Sequence, residues 1–565
     1  MLTYSALTDL SIADVIAVAR GDGQILPLDE ANANTPSEQQ RLHRVRQSVA
    51  WVQAAMVEVE AAASEGRVAT AYYGINTGFG DNAGRAIFTR VEQAERLSRN
   101  LLLSHTVGVG DPLPEDVVRA ALLIRIVSLS RGYSGVRVEV INTLIEMLNR
   151  RVYPVVPAQG SLGASGDLAP LAHLVLPLSK PLPDEDTARP GVTGLCFLDG
   201  KQVSGAEAMQ AVGIPQIQIG AKEGVALING TAISTAVAVL ALHDAKQIVK
   251  ATQIALAMSV DALRGFRDAF LPYINELRSG DQAAAAATIL SYLRGSTLAR
   301  GDANVDLSSV DGPPQDPYSI RCGPVVLGAV MSTLRHVEST LSAELHAVTD
   351  NPLVFAGDAN ESNYLPRQTK VISGGNFHGA PIGYVMDFLS IAMTDLASIA
   401  ERRTFLLTDP KLNRGLPPFL IVEPAQQTGL NSGLMIAQYT AASLVSENKA
   451  LAHPASVDSI PSSANREDHV SMSTIAARKA AQIVANARQV VAIELLCAAQ
   501  ALSLRLQQLP NLQPGQGSQQ ALTFIRSLEI APGRRLDVIH EDTSLTAYIA
   551  ALNEAIRSGA LIGSI

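Results

Sequence analysis

The sequence has few cysteines, and their positions exclude a cysteine-based framework. Cys196, Cys322 and Cys497 are the only three in 565 residues, and they form neither a CxxC pair nor a zinc-type spacing. A disulfide-stapled secreted fold is therefore excluded, and we expect a reducing, cytoplasmic location. The first residues, MLTYSALTDLS, also lack the basic start and apolar stretch of a signal peptide, which favours the same location.

A concentrated run of basic residues is also missing. The net charge is −9 and the pI is near 5.6, so we do not expect nucleic acid as a partner. Charged residues make up 17% of the chain and hydrophobic residues 47%, which excludes a disordered protein and indicates a large core. Length alone suggests two to four domains.

One uncharged stretch, residues 224–242 (GVALINGTAISTAVAVLAL), is nearly long enough to cross a bilayer. It contains an asparagine, a serine and two threonines, and charged residues bracket it closely. Because a helix that is apolar all round is normally buried, we predict a buried bundle helix here and no membrane association.

Most of the remaining chain has helical periodicity, and strand-like alternation is scarce. Long helices pack side by side, so the pattern predicts a mainly α protein built as a bundle. Ser473 is expected to cap the clearest helix and Pro510 to stop it. The predicted helices cover residues 41–65, 115–149 (two helices that separate near Gly132 and Gly135), 380–405 and 473–509.

Glycine- and proline-rich segments interrupt the helices. A rigid helical scaffold usually holds its chemistry on such loops. Residues 181–203 predict a small irregular or β-containing excursion, and residues 296–314 a flexible surface loop. The candidate functional loops are residues 74–84, 154–170, 310–324, 350–378 and 453–468.

The central motif, residues 160–174, reads GSLGASGDLAPLAHL. It predicts a tight turn and then a helix that starts near Asp167, with Pro170 in its first turn. Gly163 and Gly166 permit backbone angles that other residues avoid. The motif lacks the last glycine of a GxSxG hydrolase elbow and the Gly-Lys-Ser/Thr of a phosphate-binding loop. A purely structural turn remains the alternative.

Such a turn can bring the Gly166 nitrogen onto the carbonyl carbon of Ala164. Ring closure with loss of water, followed by dehydration of Ser165, would leave an exocyclic methylene on a five-membered ring. That product is an electrophile, which none of the twenty ordinary side chains supplies.

With its flanking residues, this segment resembles the signature of the histidine, phenylalanine and tyrosine ammonia-lyase family. The resemblance runs from about residue 10 to 530. It implies methylidene-imidazolone (MIO) formed autocatalytically from Ala164, Ser165 and Gly166. It also implies a mainly α fold, a long-helix bundle of the fumarase/aspartase-like type with an N-terminal MIO-bearing loop region. We expect an N-terminal MIO-containing domain over residues 1–225 and a central and C-terminal helical bundle over 226–565.

The same resemblance assigns catalytic groups outside the triplet. In YYGINTGFG, Tyr73 matches the base that takes the β-proton of the substrate. A free phenol has a pKa near 10, so this role needs surroundings that stabilise phenolate, such as a helix N-terminus. In QDPYSIRC, Gln315 and Tyr318 match active-site polar groups. Arg321 matches the clamp for the substrate carboxylate, which an arginine fork suits.

Further matches concern the substrate pocket. Asn229 in LINGT matches an asparagine that contacts the substrate or the electrophile, and Phe377 in SGGNFH an aromatic residue beside it. Asn376 and His378 are interpreted as structural. Glu467 in SSANREDHVSM matches the glutamate that meets the substrate imidazole. Its acidic and histidine neighbours lack metal-ligand spacing, so no metal is expected.

The resemblance also bears on the substrate. Ser104 and His105, in LLLSH, resemble the histidine enzymes. A phenyl ring would leave His105 and Glu467 unpaired, at about 1–3 kcal/mol per buried group. We therefore predict a homotetramer with shared active sites that converts L-histidine to trans-urocanate and ammonia. A tyrosine or phenylalanine ammonia-lyase, an aminomutase and a catalytically silent helical scaffold are the alternatives.

Overall fold

The computed structural model describes residues 9–301, 315–356, 371–424 and 428–565. Over these ranges the chain forms nineteen α-helices and nine short strands, labelled α1–α19 and β1–β9 in chain order. The helices are α1 (Ile12–Arg20), α2 (Pro36–Ser64), α3 (Val91–His105), α4 (Glu115–Ser130), α5 (Val138–Asn149), α6 (Leu168–Val175), α7 (Gly205–Ala211), α8 (Glu223–Ile228), α9 (Ala232–Ala262), α10 (Pro272–Asn275), α11 (Gly280–Tyr292), α12 (Tyr318–Arg321), α13 (Gly323–Glu344), α14 (Ala380–Thr408), α15 (Met435–Leu451), α16 (Ser473–Gln508), α17 (Gln516–Ser527), α18 (Thr546–Arg557) and α19 (Ala560–Gly563). The strands are β1 (Val109–Pro112), β2 (Tyr153–Pro154), β3 (Pro157–Gln159), β4 (Leu195–Leu198), β5 (Lys201–Ser204), β6 (Leu353–Val354), β7 (Val371–Ile372), β8 (Glu529–Ala531) and β9 (Arg534–Arg535).

The chain divides into two compact units, each made of separate stretches of sequence. The first unit comprises Met1–Leu240, Ser339–Met386 and Pro454–Arg478. The second comprises Ala241–Glu338, Asp387–His453 and Lys479–Ile565. The domain boundary expected near residue 225 stays a prediction.

Buried polar contacts join the long helices of the second unit. Arg403 on α14 forms an ion pair with Glu494 on α16, with Nε and Oε1 2.5 Å apart and both side chains almost fully buried. Burial raises the pKa of Glu494, and the neighbouring guanidinium opposes that shift. Asn486 of α16 donates to Asn448 of α15 at 2.9 Å. These contacts hold a bundle of long helices, which confirms the predicted fold class.

In the first unit, α3, α6 and α8 pack against one another, and α4 packs against α1 and α5. The same unit contains a small three-stranded sheet of order β2–β4–β5. Strands β4 and β5 form an antiparallel hairpin in which Leu195 pairs with Ser204, and β2 pairs with β4. The β-containing excursion predicted for residues 181–203 is thereby confirmed.

The four predicted helical regions are confirmed with small shifts at their ends. The first begins earlier than expected, at Pro36, because Thr35 and Glu38 form a capping box at its start. Gly132 and Gly135, with φ of +85° and +66°, lie between α4 and α5 as predicted. The expected cap at Ser473 is wrong. The Ser473 N–H donates to the hydroxyl of Ser471 instead, and the Ser473 hydroxyl has no partner among the described residues.

The uncharged stretch 224–242 is buried as predicted, but it is not one helix. The chain leaves helical geometry between α8 and α9, where Asn229 is extended and Gly230 has a φ of +142°. By length and composition alone, α9, α14 and α16 could each cross a membrane. The apolar windows of α9 and α16 are 83% buried and that of α14 is 61% buried, as expected for helices of a protein core.

The flexible loop predicted for residues 296–314 lies partly outside the described residues, which resume at Gln315. For residues 296–300 the expectation of a surface loop is wrong. The Ser296 hydroxyl donates to the buried carboxylate of Asp261 at 2.5 Å, and Leu298 and Ala299 are buried.

Candidate active site

A pocket of about 540 Å³ in the first unit brings together six of the residues predicted from the sequence. They come from the loop after α2, from α3, from the triplet loop, from the break between α8 and α9, and from the loop before α16. The six predicted residues that line it are Tyr73, Ser104, His105, Ser165, Asn229 and Glu467.

The loop that carries the triplet has the backbone angles that its glycines permit. Gly163 and Gly166 have φ of +67° and +74°, a region that favours glycine. Gly166 also lies against Gly230, so closely that a Cβ at position 166 would be 2.1 Å from the Gly230 oxygen. Ala164 is buried between the two glycines of the turn. No larger residue than glycine fits at position 166 without a shift of the backbone.

Two donors converge on the carbonyl oxygen of Ser165. The Asn229 Nδ2–H and the Gly230 N–H each donate to it at 3.3 Å. Paired donors of this kind stabilise negative charge that develops on an oxygen. The other polar atom of the Asn229 side chain, Oδ1, is buried and has no hydrogen-bond partner among the described residues. Since Asn229 lines the pocket, this atom can accept a hydrogen bond from a ligand.

Asp167, directly after the triplet, was not recognised from the sequence as more than a helix start. Its Oδ2 accepts from the Ser234 N–H at 2.8 Å and from the Ser234 hydroxyl at 3.0 Å. Its Oδ1 accepts from the hydroxyls of Thr474 at 2.5 Å and Ser161 at 3.3 Å. Burial raises the pKa of Asp167, and these bonds oppose that shift. The carboxylate thus fixes the triplet loop to α9 and α16.

Tyr73 lines the pocket from the loop after α2. The Gly80 N–H, at the start of a short 3₁₀ helix (Gly80–Gly84), donates to the Tyr73 phenol oxygen at 3.4 Å. The ring also meets Phe79 edge-on, with centroids 6.3 Å apart. The phenol oxygen of Tyr73 thus has a main-chain donor within the pocket lining.

His105, at the end of α3, offers one ring nitrogen as an acceptor. Its Nδ1 lies 2.9 Å from the Leu101 carbonyl oxygen and 3.1 Å from the Ser104 hydroxyl. A carbonyl can only accept, so Nδ1 carries the hydrogen and Nε2 keeps its lone pair. Burial lowers the pKa of His105, and the Leu101 carbonyl and Glu467 oppose that shift. Asn100, one helical turn before Ser104, also lines the pocket. The sequence reasoning missed it, although its spacing on α3 is a usable signal.

Glu467 faces the triplet from the loop before α16. Its Oε1 accepts from the Ser165 hydroxyl at 3.0 Å. The main chain of Glu467 pairs with that of Ser462, which closes a tight turn. The residues inside this turn share a left-handed conformation, with φ of 51°, 52° and 65° for Ser463, Ala464 and Asn465. The turn therefore sets the direction of the Glu467 side chain.

Other predicted residues do not line this pocket. Phe377 belongs to the first unit and is half-buried. Gln315, Tyr318 and Arg321 belong to the second unit, and the Tyr318 side chain is 70% exposed. The Arg321 guanidinium stacks 4.5 Å above the Tyr318 ring, and its Nε donates to the Asp316 carbonyl at 2.9 Å. Within the described ranges, no group of three or more histidine, cysteine or acidic residues is placed to hold a metal ion.

The helical fold and the Ala-Ser-Gly loop in this pocket define an aromatic amino acid lyase. The family model described as aromatic amino acid lyase matches residues 10–527, and the chain belongs to this family. The predicted family and the class of carbon–nitrogen lyase are thereby confirmed.

Several individual proteins are similar to this chain over most of its length. The histidine ammonia-lyase of Symbiobacterium thermophilum is 44% identical over 557 residues, which cover 98% of this chain and 97% of the relative. That of Bacillus subtilis is 45% identical over 493 residues, 87% of each chain. The crystal structure of histidine ammonia-lyase from Trypanosoma cruzi has a TM-score of 0.77 at 33% identity, covering 100% of this chain and 93% of that one. Tyrosine aminomutase from Streptomyces globisporus gives 0.80 at 30% identity, with 99% and 97% coverage.

Proposed function

We propose that this protein is a histidine ammonia-lyase that converts L-histidine to trans-urocanate and ammonia. The observation that carries the proposal is the pocket in which His105 and Glu467, both hydrogen-bond acceptors, share one space with Ser165. An imidazole ring can donate to such acceptors, whereas a phenyl ring cannot. The histidine ammonia-lyases that match nearly the whole chain support the same substrate.

We also propose that Ala164, Ser165 and Gly166 form MIO, the electrophile of this family. The Gly166 nitrogen would bond to the Ala164 carbonyl carbon, and two water molecules would leave, one of them from the Ser165 side chain. The loop fits this group, because the two glycines hold the turn and two donors already meet the Ser165 oxygen that the ring would retain. MIO supplies a methylidene carbon to which the amine of the substrate adds.

The chain's own residues then have separate tasks. Tyr73 takes the β-proton, and the Gly80 N–H donates to its oxygen. The Asn229 Oδ1, which has no partner among the described residues, accepts from the substrate amine. Arg321 binds the carboxylate through its two terminal nitrogens, since its Nε is held by the Asp316 carbonyl. Ammonia leaves as the double bond of the product forms.

We propose a cytoplasmic homotetramer in which Tyr318 and Arg321 reach the pocket of another copy. Both lie on the short helix α12 of the second unit, and Tyr318 is exposed. Exposed apolar side chains on α14 and α15 provide surface for association. They are Phe388 (46% exposed), Ile391 (53%), Ile436 (54%) and Tyr439 (60%). The three cysteines are free, which suits a reducing compartment.

Parallel assays and a mass measurement test the proposal. We expect the intact chain to lack the mass of two water molecules and kcat/KM to be highest for histidine among histidine, tyrosine and phenylalanine. Ser165→Ala should have the full mass calculated from its own sequence and should lose borohydride sensitivity. Its kcat should be lower by at least about 10³-fold, since the substitution removes a covalent catalyst. A wild type of full mass would favour the silent scaffold, and a higher kcat/KM for tyrosine would overturn the substrate assignment.

An aminomutase is the second candidate, because tyrosine aminomutase structures match this fold with a TM-score of 0.80. A phenol could also donate to His105 or Glu467. Chromatography of the products separates the two reactions, since an aminomutase returns a β-amino acid and a lyase releases ammonia with an unsaturated acid.

A further inference from the structure

His378 lies outside the pocket, and both of its ring nitrogens have a partner within the first unit. The Ala380 N–H donates to Nδ1 at 3.4 Å, so Nδ1 is an acceptor. Nε2 lies 3.2 Å from the carbonyl oxygen of His469, which can only accept, so Nε2 carries the hydrogen. The rings of His378 and His469 are stacked, with centroids 5.7 Å apart and planes within 6°. The imidazole of His378 therefore bridges the loop before α14 and the loop before α16.

The His469 end of this bridge lies two residues after Glu467. Most other contacts of this loop are internal: Ser462 pairs with Glu467, and the Val470 N–H donates to the Ser459 hydroxyl at 3.1 Å. An exposed ion pair between Arg466 and Asp81, 3.8 Å apart, adds little, because solvent screens such pairs. Farther along the loop, the Ser471 hydroxyl donates to the Gly163 carbonyl and the Met472 N–H to the Leu162 carbonyl, each at 2.8 Å. Among these external hydrogen bonds, the one from His378 is the nearest to Glu467 on its outgoing side.

We infer that His378 is a positioning residue that sets the Glu467 carboxylate for the ring of the substrate. It is not among the residues that line the pocket, and it acts through the main chain at His469. A displacement of that carbonyl would move Glu467 relative to Ser165, with which it shares a 3.0 Å contact. This inference rests on the proposed function, in which Glu467 meets the substrate imidazole.

Two amide substitutions separate the two bonds of His378. In Gln, the amide nitrogen takes the place of Nε2 and can still donate to the His469 carbonyl. In Asn, the amide oxygen takes the place of Nδ1 and keeps only the Ala380 bond. We expect His378→Asn to lower kcat/KM for histidine about tenfold, and His378→Gln to stay within about threefold of wild type. His43→Asn, at an exposed position on α2, is the matched control and should not change activity.

A double-mutant cycle with Glu467→Gln distinguishes positioning from general structural damage. If His378 acts through Glu467, His378→Asn should lower kcat/KM less than about twofold in the Glu467→Gln background, because coupled residues are not additive. The intact-mass deficit and the thermal midpoint of His378→Asn should equal those of wild type.

A tenfold loss that persists in the Glu467→Gln background, or equal losses in His378→Asn and His378→Gln, would overturn the inference. So would an unchanged kcat/KM in His378→Asn. Failure of the proposed function gives a different result, since the wild type itself would then lack the mass deficit or the activity on histidine.

Discussion

His105 faces the pocket as an acceptor because the Leu101 carbonyl occupies its other nitrogen. His105→Phe removes this acceptor and leaves a comparable ring volume. We expect kcat/KM for histidine to fall by about 10- to 100-fold, which corresponds to one lost partner of a buried polar group. Steady-state kinetics with histidine and phenylalanine check this. Equal losses for both substrates would mean that the residue only shapes the pocket.

His173, on α6 just after the triplet, gives a pH-dependent contribution to stability. Its Nε2 accepts from the Gly108 N–H at 3.0 Å, and burial lowers its pKa from 6.5 to about 4. Between these values the unfolded chain binds a proton that the folded chain does not, so stability falls as the pH falls from 6.5 towards 4. We expect wild type to lose about 1 kcal/mol more than His173→Gln between pH 7 and pH 5, after allowance for partial exposure.

Urea unfolding of both proteins at the two pH values measures that difference. Identical pH dependence in the two proteins would show that folding does not change the pKa of His173.

Single residues of the pocket were predictable where they belong to a short sequence motif. Ser165, Tyr73 and Glu467 were identified by their neighbours in sequence, and the pocket brings them together. Asp167 was missed because its function depends on partners such as Thr474, which is 307 residues away. Arg321 was assigned by resemblance, and its place in the second unit keeps its role a proposal.

At the scale of elements, the break between α8 and α9 builds the site. Gly230 has a φ of +142°, and a Cβ there would lie 2.5 Å from the Thr349 oxygen and 2.6 Å from Nη1 of Arg125. We expect Gly230→Ala to cost about 2–4 kcal/mol of folding free energy and to reduce the mass deficit. Gly191→Ala is the control, because Gly191 has a φ of +78° in open space. It should cost about 1 kcal/mol and leave the mass deficit intact.

Chemical unfolding and intact mass measure both effects. A Gly230→Ala protein that retains the full deficit would show that the triplet loop does not need this break.

Hydrophobic periodicity located the long helices, since a buried face repeats along the sequence. It could not locate the break at Asn229, because the residues on both sides are apolar and buried in either geometry. The Ser473 cap failed for a related reason. Ser471, two residues earlier, also has a hydroxyl, and it accepts a hydrogen bond from the Ser473 N–H. Which serine hydroxyl binds the main chain here depends on the folded loop.

At the scale of the whole molecule, the proposed sharing of sites between copies has a direct test. Ser165→Ala and Arg321→Ala should each be inactive alone. If the triplet and the arginine of one site come from different copies, random mixed tetramers should recover about a quarter of wild-type activity. Ser165→Ala with Tyr73→Phe should recover none, because both residues line one pocket of one chain. Co-expression with two tags, followed by assay of the mixed species, gives the result.

The Ser471 hydroxyl donates to the Gly163 carbonyl across 308 residues of sequence. During synthesis, the ribosome adds Ala164, Ser165 and Gly166 long before it adds Ser471, whose hydroxyl holds this turn. A nascent chain that stops short of residue 471 carries the triplet without this contact. If the proposed electrophile forms from Ala164, Ser165 and Gly166, its formation therefore waits until residue 471 has been synthesised, and products that terminate earlier should have the mass of an unmodified peptide.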